Sequence, residues 1–215
     1  MSSVVSARRA YEAALRGADC YLVGMDTLPT RLPTARWRAP ATRSDRRLLA
    51  CCQGATLDVG CGPGRMTAGL LGHGHPALGI DVSEVAVTQA RSRGVPALVR
   101  DVFGPVPAQG RWDSVLLADG NIGIGGNPER LLGRARRLLR TGGLVVADLA
   151  PPGVRTRAYQ LCLMVDQART APFSWAVVGA DDVERLAWSS GFAVDRLTRS
   201  DGRWIARLRS RGGAP

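Results

Sequence analysis

From residue 55 onward, short apolar runs alternate with amphipathic stretches. Residues 55–59 form an apolar run that stops at Gly60, which predicts a strand. Residues 65–71 read as a helix closed by Gly72, and residues 76–80 as a second strand ended by Asp81. Ser83 then caps a helix that runs to Gly94. A third strand at 95–99 is followed by Asp101, and a fourth at 112–118 by Asp119. Asn127 as N-cap, with Pro128 at the first helical position, starts a helix with Leu131, Leu132, Ala135, Leu138 and Leu139 on one face. Gly142 and Gly143 are expected to end it, and residues 144–147 form a fifth strand ended by Asp148.

Strands that alternate with helices at this spacing predict a parallel, doubly wound α/β sheet. Ligands bind such sheets outside the carboxyl ends of the strands. Asp81, Asp101, Asp119 and Asp148 all fall at those ends, and Asp58 lies near the end of the first strand.

The flanks read differently. Residues 1–50 hold a helix over 7–16, an irregular stretch with Pro29, Pro33 and Pro40, and a short helix over 45–52. After the fifth strand, Tyr159, Leu161, Leu163 and Val165 alternate with other residues, and 173–178 is expected to pair back as a hairpin. Asp181 with Glu184 resembles a capping box for a helix ending at Gly191. Residues 192–197 and 204–208 flank the turn Ser200-Asp201-Gly202, a hairpin signal.

A chain of 215 residues fits one domain, or one domain with an appendage. No apolar run is long enough to span a bilayer, and no apolar stretch follows Arg8 and Arg9, so neither a membrane partner nor a signal peptide is expected. The five cysteines are odd in number and none has zinc-ligand spacing; reduced thiols, no metal and a cytoplasmic location are expected. The net charge of +11 invites a nucleic-acid reading. That reading weakens because the chain has no lysine: all 29 basic residues are arginines, spread along the sequence. The densest set, Arg130, Arg134, Arg136, Arg137 and Arg140, sits on an amphipathic helix and reads as a solvated face.

LDVGCGPGR, residues 57–65, carries the most chemistry. A glycine-rich turn between strand and helix lets backbone N–H groups approach a ligand closely. A nicotinamide fingerprint needs a small residue where this chain has Arg65, and Asp58 would repel a pyrophosphate. An acid there suits a ligand with a cation. S-adenosylmethionine has an α-ammonium that fits an acidic strand end and a carboxylate that fits backbone N–H groups. Asp81 can accept both ribose hydroxyls, and Asp101 can accept from an exocyclic amine.

The segment 55–149 resembles class I S-adenosylmethionine-dependent methyltransferases. LDVGCGPGR looks like their first motif, Asp81 in GIDVS like their ribose-binding acid, Asp101-Val102 like their adenine-contacting pair, and LRTGGLVVADL like the segment entering strand five. The resemblance implies a Rossmann-like, mostly parallel seven-stranded sheet with a C-terminal antiparallel hairpin. It implies S-adenosylmethionine as cofactor, bound by Asp58, Gly60, Cys61, Gly62, Gly64, Asp81, Val82, Asp101, Val102, Ala118 and Asp119. Asp119 and Asn121 are the candidates for work on the acceptor, with an orienting role expected of Asp119. Cys61 is expected to pack within the motif, not to act as a nucleophile.

Position four reads ADGNIG, not the N/D-P-P-Y/F of enzymes that methylate base amines, and a lysine network is absent. Both features point to a small-molecule acceptor and away from specific nucleic acid, in a monomer or homodimer. An RNA or protein methyltransferase, or a non-catalytic S-adenosylmethionine-binding protein, stays open as an alternative. The expected organisation is an N-terminal helical or lid segment (1–54), the cofactor core (55–149), an acceptor-covering insertion (150–178), and a C-terminal helix with closing strands (179–215). In the insertion, Arg155, Arg157, Tyr159 and Trp175 are candidates for anion-binding and aromatic contacts.

Overall fold

The computed structural model describes residues 6–25 and 28–211. The ends of the expected N- and C-terminal segments (1–5 and 212–215), and residues 26–27, lie outside the described residues.

The chain runs α1 (Ala7–Leu15), β1 (Cys20–Val23), β2 (Thr30–Arg31), α2 (Thr34–Arg38) and α3 (Arg43–Leu49). The repeat follows as β3 (Thr56–Val59), α4 (Arg65–Gly72), β4 (Ala77–Asp81), α5 (Glu84–Arg91), β5 (Ala97–Val99), β6 (Trp112–Leu117), α6 (Pro128–Leu138) and β7 (Leu139–Leu149). The last part is β8 (Arg157–Val165), β9 (Ala168–Arg169), β10 (Phe173–Val177), α7 (Val183–Ser189), β11 (Phe192–Ser200) and β12 (Arg203–Ser210).

Seven strands form the large sheet in the order β11-β12-β7-β6-β3-β4-β5. β3 to β7 are mutually parallel, and the β11–β12 hairpin adds antiparallel to β7. Asp201 and Gly202, both at positive φ, make the tight hairpin turn. The central strands are apolar on both faces because both faces are covered. Val115 and Leu117 of β6 join Val145 and Ala147 of β7 against α6 and α7. Leu116 and Val146 face the other way, onto Leu48 and Leu49 of α3 and Met66 and Leu70 of α4. Ser83 caps α5 by accepting from Ala86 N–H, and Asn127 caps α6 by accepting from Arg130 N–H.

Two local expectations are corrected. α6 stops at Leu138, and β7 begins at Leu139, so Gly142 and Gly143 lie inside the strand. The pairing with β6 slips between Trp112–Leu139 and Ser114–Leu144, and Gly142 at φ +71° absorbs the irregularity. The pair Asp181 and Glu184 forms no capping box. Asp181 accepts from Gly153 N–H at 2.7 Å and Asp182 from Thr156 N–H at 2.9 Å, so the acids anchor the loop after β7.

A second, smaller antiparallel sheet has the order β10-β8-β1-β2, with β9 beside β8. The β8–β10 hairpin follows the expected pairing. β1 falls in the stretch read as irregular, yet it pairs with β8 from Cys20 opposite Val165 to Val23 opposite Cys162. The N-terminal segment and the insertion are thus one layer. That layer is seated on the loop after β6: Ile124 bridges to Trp175, and a Cβ on Gly123 would lie 1.8 Å from the Ala176 carbonyl oxygen.

Candidate active site

A cavity of about 1170 Å³ lies between the carboxyl ends of β3, β4, β6 and β7 and the small sheet. Asp58, Gly60, Cys61, Gly62, Asp81, Val82, Asp101, Val102, Ala118, Asp119 and Asn121 all line it. Gly64 does not. It caps α4 at φ +85°, and a Cβ there would lie 2.9 Å from the Ala90 Cβ, so Gly64 serves the contact between α4 and α5. This corrects its expected place at the ligand.

Two side chains, Asp81 and Asn121, brace the glycine turn. Gly60 and Gly62 both have positive φ, which side-chain-bearing residues rarely adopt. The Asp81 Oδ2 accepts from Gly62 N–H at 3.0 Å, and its Oδ1 accepts from Ser83 N–H at 2.9 Å. Asn121 Nδ2 donates to the carbonyls of Val59 and Gly60 at 2.8 and 3.0 Å. The Asn121 amide therefore holds the glycine turn in shape, where the sequence reading had it facing an acceptor. Cys61 is buried, and a Cβ on Gly79 would lie 2.7 Å from its Sγ. Burial raises its thiol pKa, and the thiol packs as expected.

Asp58 is buried, and its Oδ2 accepts from Thr67 Oγ1 at 2.6 Å. Burial outweighs that hydrogen bond and, with the nearby Asp119 charge, pushes the carboxyl up to about 7. Burial also raises Asp81, against the backbone N–H groups of Ser83, Gly62 and Val82. Both acids suit a ligand that brings positive charge or hydroxyl donors. Val82 is 48% exposed at its strand end, open to a planar group lying in the cavity. Asp101 Oδ1 accepts from Phe103 N–H at 2.9 Å, an Asx turn that sets the side chain at the rim.

From the sequence, Tyr11, Tyr21 and Trp37 are aromatics ahead of the core, in a segment that can fold over the cofactor, and each is expected to pack sooner than to touch a ligand. Tyr11 comes from α1, lies over the glycine turn, and its hydroxyl would be 3.3 Å from a Cβ on Gly62. Burial, with Asp81 nearby, raises its phenol well above the ordinary value. Trp37 of α2 packs edge-on against it, with ring centroids 5.9 Å apart.

Asp119 is not free to meet a ligand by itself. Its carboxylate is an ion-pair partner of Arg65, of Arg203 at 2.9 Å and of Arg36 at 3.4 Å. Arg65 and Arg203 also grip Asp45, the latter at 3.0 Å. Arg203 Nε reaches Asp148 Oδ2 at 3.2 Å, and Asp148 Oδ2 accepts from Asp119 N–H at 3.1 Å. Burial raises Asp45, but the hydrogen bonds from Arg65 and Thr42 win and hold it near 2. At Asp148 burial wins over Arg203, and with the Asp119 charge it pushes the carboxyl up to about 6. The network ties α2 and α3 to the strand ends. Its only sequence signal was the set of strand-end acids; Arg203 and Asp45 gave none.

On the other side the wall is apolar. The cross-strand pairs Leu22–Leu163 and Leu161–Phe173 line the cavity, with Leu32, Trp175, Ile122 and Ile124. Of the four residues expected to reach a ligand from the insertion, only Trp175 lines the cavity. Arg157 stacks over the Tyr159 ring at 5.1 Å, and Arg155 and Tyr159 lie outside the lining.

The strand-end acids and the braced glycine turn lie at the carboxyl ends of the parallel strands, where α/β sheets of this kind bind their ligands. Residues 56–143 match the model of the family described as methyltransferase domain. By this match residues 56–143 are a methyltransferase domain, and the fold around them is that of S-adenosylmethionine-dependent methyltransferases. The chain is similar in fold to an S-adenosylmethionine-dependent methyltransferase from Bacteroides fragilis solved with S-adenosylhomocysteine. That likeness has 20% identity and a TM-score of 0.80, over 97% of this chain and 98% of that one. The 1,6-didemethyltoxoflavin N1-methyltransferase of Burkholderia thailandensis, solved with its substrate, is similar at 18% identity and a TM-score of 0.59, over 79% of each chain. A sugar N-methyltransferase from Streptoalloteichus is similar at 19% identity and a TM-score of 0.58, over 82% of this chain and 88% of that one. No curated protein sequence matches the chain significantly. Among the described residues, no helix is long and apolar enough to cross a membrane.

Proposed function

We propose that the chain methylates a small, largely apolar acceptor held against the small sheet. The observation that carries this reading is the two-sided cavity. One side offers the glycine turn and strand-end acids; the other offers Leu22, Leu161, Leu163, Phe173 and Trp175. At about 1170 Å³ it exceeds the volume typical of a site for one drug-sized ligand, roughly 300–1,000 Å³, and leaves room for two. The toxoflavin and sugar methyltransferases similar in fold act on small molecules, which supports the same class here.

The residues fit S-adenosylmethionine as the cofactor by their own chemistry. Asp58 is a buried acid with one oxygen committed to Thr67, and it suits an α-ammonium. The N–H groups of the glycine turn are taken, those of Gly60 and Cys61 by the Ile80 carbonyl and that of Gly62 by Asp81, so the turn contributes a side-chain-free surface that the cofactor can approach closely. Asp81 has lone pairs left for ribose hydroxyls, and Val82, Asp101 and Val102 suit the adenine. When bound, the cofactor supplies an electrophilic methyl group. The chain's own work is to hold two partners in line, which can contribute up to about 7–11 kcal/mol. In this reading Asp119 positions the arginines at the seam, and Asn121 keeps the glycine turn rigid. Purified protein would be incubated with S-adenosylmethionine and a set of naphthols, hydroxyquinolines, arylamines and amino sugars. S-adenosylhomocysteine release with the aromatic compounds is the expected outcome. Release with RNA or protein alone would sink the reading.

A further inference from the structure

We propose that Asp148 is the proton acceptor of the reaction, hydrogen-bonded through its Oδ1 to the O–H or N–H that becomes methylated. The inference rests on the small-acceptor reading above and assigns a catalytic residue within that site.

Chemistry for removing a proton is scarce in this cavity. The chain has no lysine and only two histidines. Those two, His73 and His75, lie just beyond α4 and do not line the cavity. Tyr11 lines it, but its raised pKa makes it a poor base. The acids that line it have separate occupations. Asp58 and Asp81 brace or face the cofactor side, Asp101 forms a turn at the rim, and both oxygens of Asp119 are ion-paired. Asp201 is ion-paired to Arg47 on the β11–β12 turn.

Asp148 differs. It is the penultimate residue of β7, followed by Leu149 and Ala150, and all three line the cavity where the strand ends meet the apolar side. Its Oδ2 takes both contacts, Arg203 Nε and Asp119 N–H. Its Oδ1 has no partner among the described residues, and it is not a sealed, unsatisfied atom. One oxygen is therefore anchored, and the other is without a partner among the described residues in a side chain that lines the cavity. The charged groups around it come from several elements: Arg203 on β12, Asp119 after β6 and Arg36 on α2, with Asp45 on α3 and Arg65 on α4 completing the network. A carboxyl raised to about 6 is ionised at neutral pH and more basic than an ordinary aspartate.

The step balances. As the acceptor oxygen or nitrogen bonds to the methyl carbon, the sulfur–methyl bond breaks and its electron pair stays on sulfur. The acceptor proton passes to Asp148 Oδ1. A sulfonium and a carboxylate become a neutral thioether and a carboxylic acid.

The test uses binding, with the full chain saturated by S-adenosylhomocysteine and two fixed probes, 2-naphthol and naphthalene, which lacks the O–H. Wild type should prefer 2-naphthol by about 10–100-fold at pH 7.5, as a hydrogen bond to a charged acceptor allows. That preference should fade as pH falls through about 6. Asp148→Asn keeps an oxygen for Asp119 N–H, and it should shrink the preference about tenfold and flatten its pH dependence. Asp148→Glu should restore part of both, and unchanged S-adenosylhomocysteine affinity in the variants checks that they fold. A preference equal in wild type and Asp148→Asn, or one that ignores pH, overturns the proposal. If neither probe binds, the apolar-acceptor reading fails first and this proposal falls with it.

Discussion

The two sides of the cavity are built in opposite ways. The cofactor side comes mainly from one continuous stretch, 58–121, in which each acid lies at or just beyond the end of its own strand. The acceptor side is assembled from β1 and β2, the loop after β6, and the β8–β10 hairpin. It is apolar, and no single segment of it makes a surface alone. A polar site made of backbone geometry can be local, because turns and caps are short-range objects. An apolar wall needs several strands side by side before it can exclude water. The same fold can therefore keep one side fixed and vary the other.

The sharpest way to break the comparison is a pair of glycine substitutions. At Gly60, φ is +70° and a Cβ would lie 2.7 Å from Asn121 Nδ2, so Gly60→Ala should distort the turn. S-adenosylhomocysteine affinity should drop on the order of 100-fold by calorimetry, from strain and a broken brace. At Gly123 a Cβ would collide with the Ala176 carbonyl of β10. Gly123→Ala should abolish naphthalene binding while cofactor affinity stays within about threefold, the effect of a minor contact. Equal damage to both ligands from either variant would mean that the two sides are one cooperative unit.

Next in size is the seam. Arg65 is nearly sealed and paired to Asp45 and Asp119. Arg65→Met leaves Asp45, fully buried, with Arg203 and the more distant Arg36 as its cationic partners and Thr42 as its hydrogen-bond donor. Breaking a buried pair should cost on the order of 3 kcal/mol. That lowers the melting temperature by about 6–12 °C for a chain of this size. A change within about 1 °C, small on that scale, would show that the network adds nothing net.

The third effect separates the sides by pH. Asp58 and Asp148 have pKa values raised in the folded chain, to about 7 and about 6. Their neutral forms favour the fold, so the stability they contribute is full below about pH 4 and lost as pH rises through 6–7. The unliganded protein should melt lower at pH 8 than at pH 5 on their account. A cationic ligand beside Asp58 favours the ionised form instead. S-adenosylhomocysteine affinity should rise about tenfold from pH 6 to 8, and Asp58→Asn should flatten that rise. Naphthalene binding should ignore pH. The smallest effect is expected at Tyr11. Tyr11→Phe removes only the hydroxyl over the glycine turn and should weaken S-adenosylhomocysteine by about two- to fivefold. No change would leave Tyr11 as a packing aromatic.

Much of the cofactor side could be read from the chain because its determinants are local. Ser83 and Asn127 cap the helices they precede, and the alternation of apolar runs gives the parallel strands and their acidic ends. β1 could not be read. Four residues, CYLV, carry no period of their own, and their partner strand is β8, far along the chain. Asp181 and Glu184 have the spacing of a capping box, but the carboxylates of Asp181 and Asp182 accept from the loop N–H groups of Gly153 and Thr156 instead. Asp119 and Asn121 line the cavity, and their partners, on distant segments, were not foreseeable.

The sequence by itself determined the order of βα units, the glycine turn with its flanking acids, and the tight turn at Asp201-Gly202. Each is written within a few residues, where backbone sterics and neighbouring hydrogen bonds decide the outcome. Only the tertiary structure decided which side chains were left over. Arg203, from the last hairpin, meets Asp45 from α3 and Asp119 and Asp148 from two strand ends. That meeting occupies Asp119 and leaves one oxygen of Asp148 without a partner among the described residues. Burial then sets their charge, because desolvation depends on the whole enclosure and not on the residues beside them in the chain.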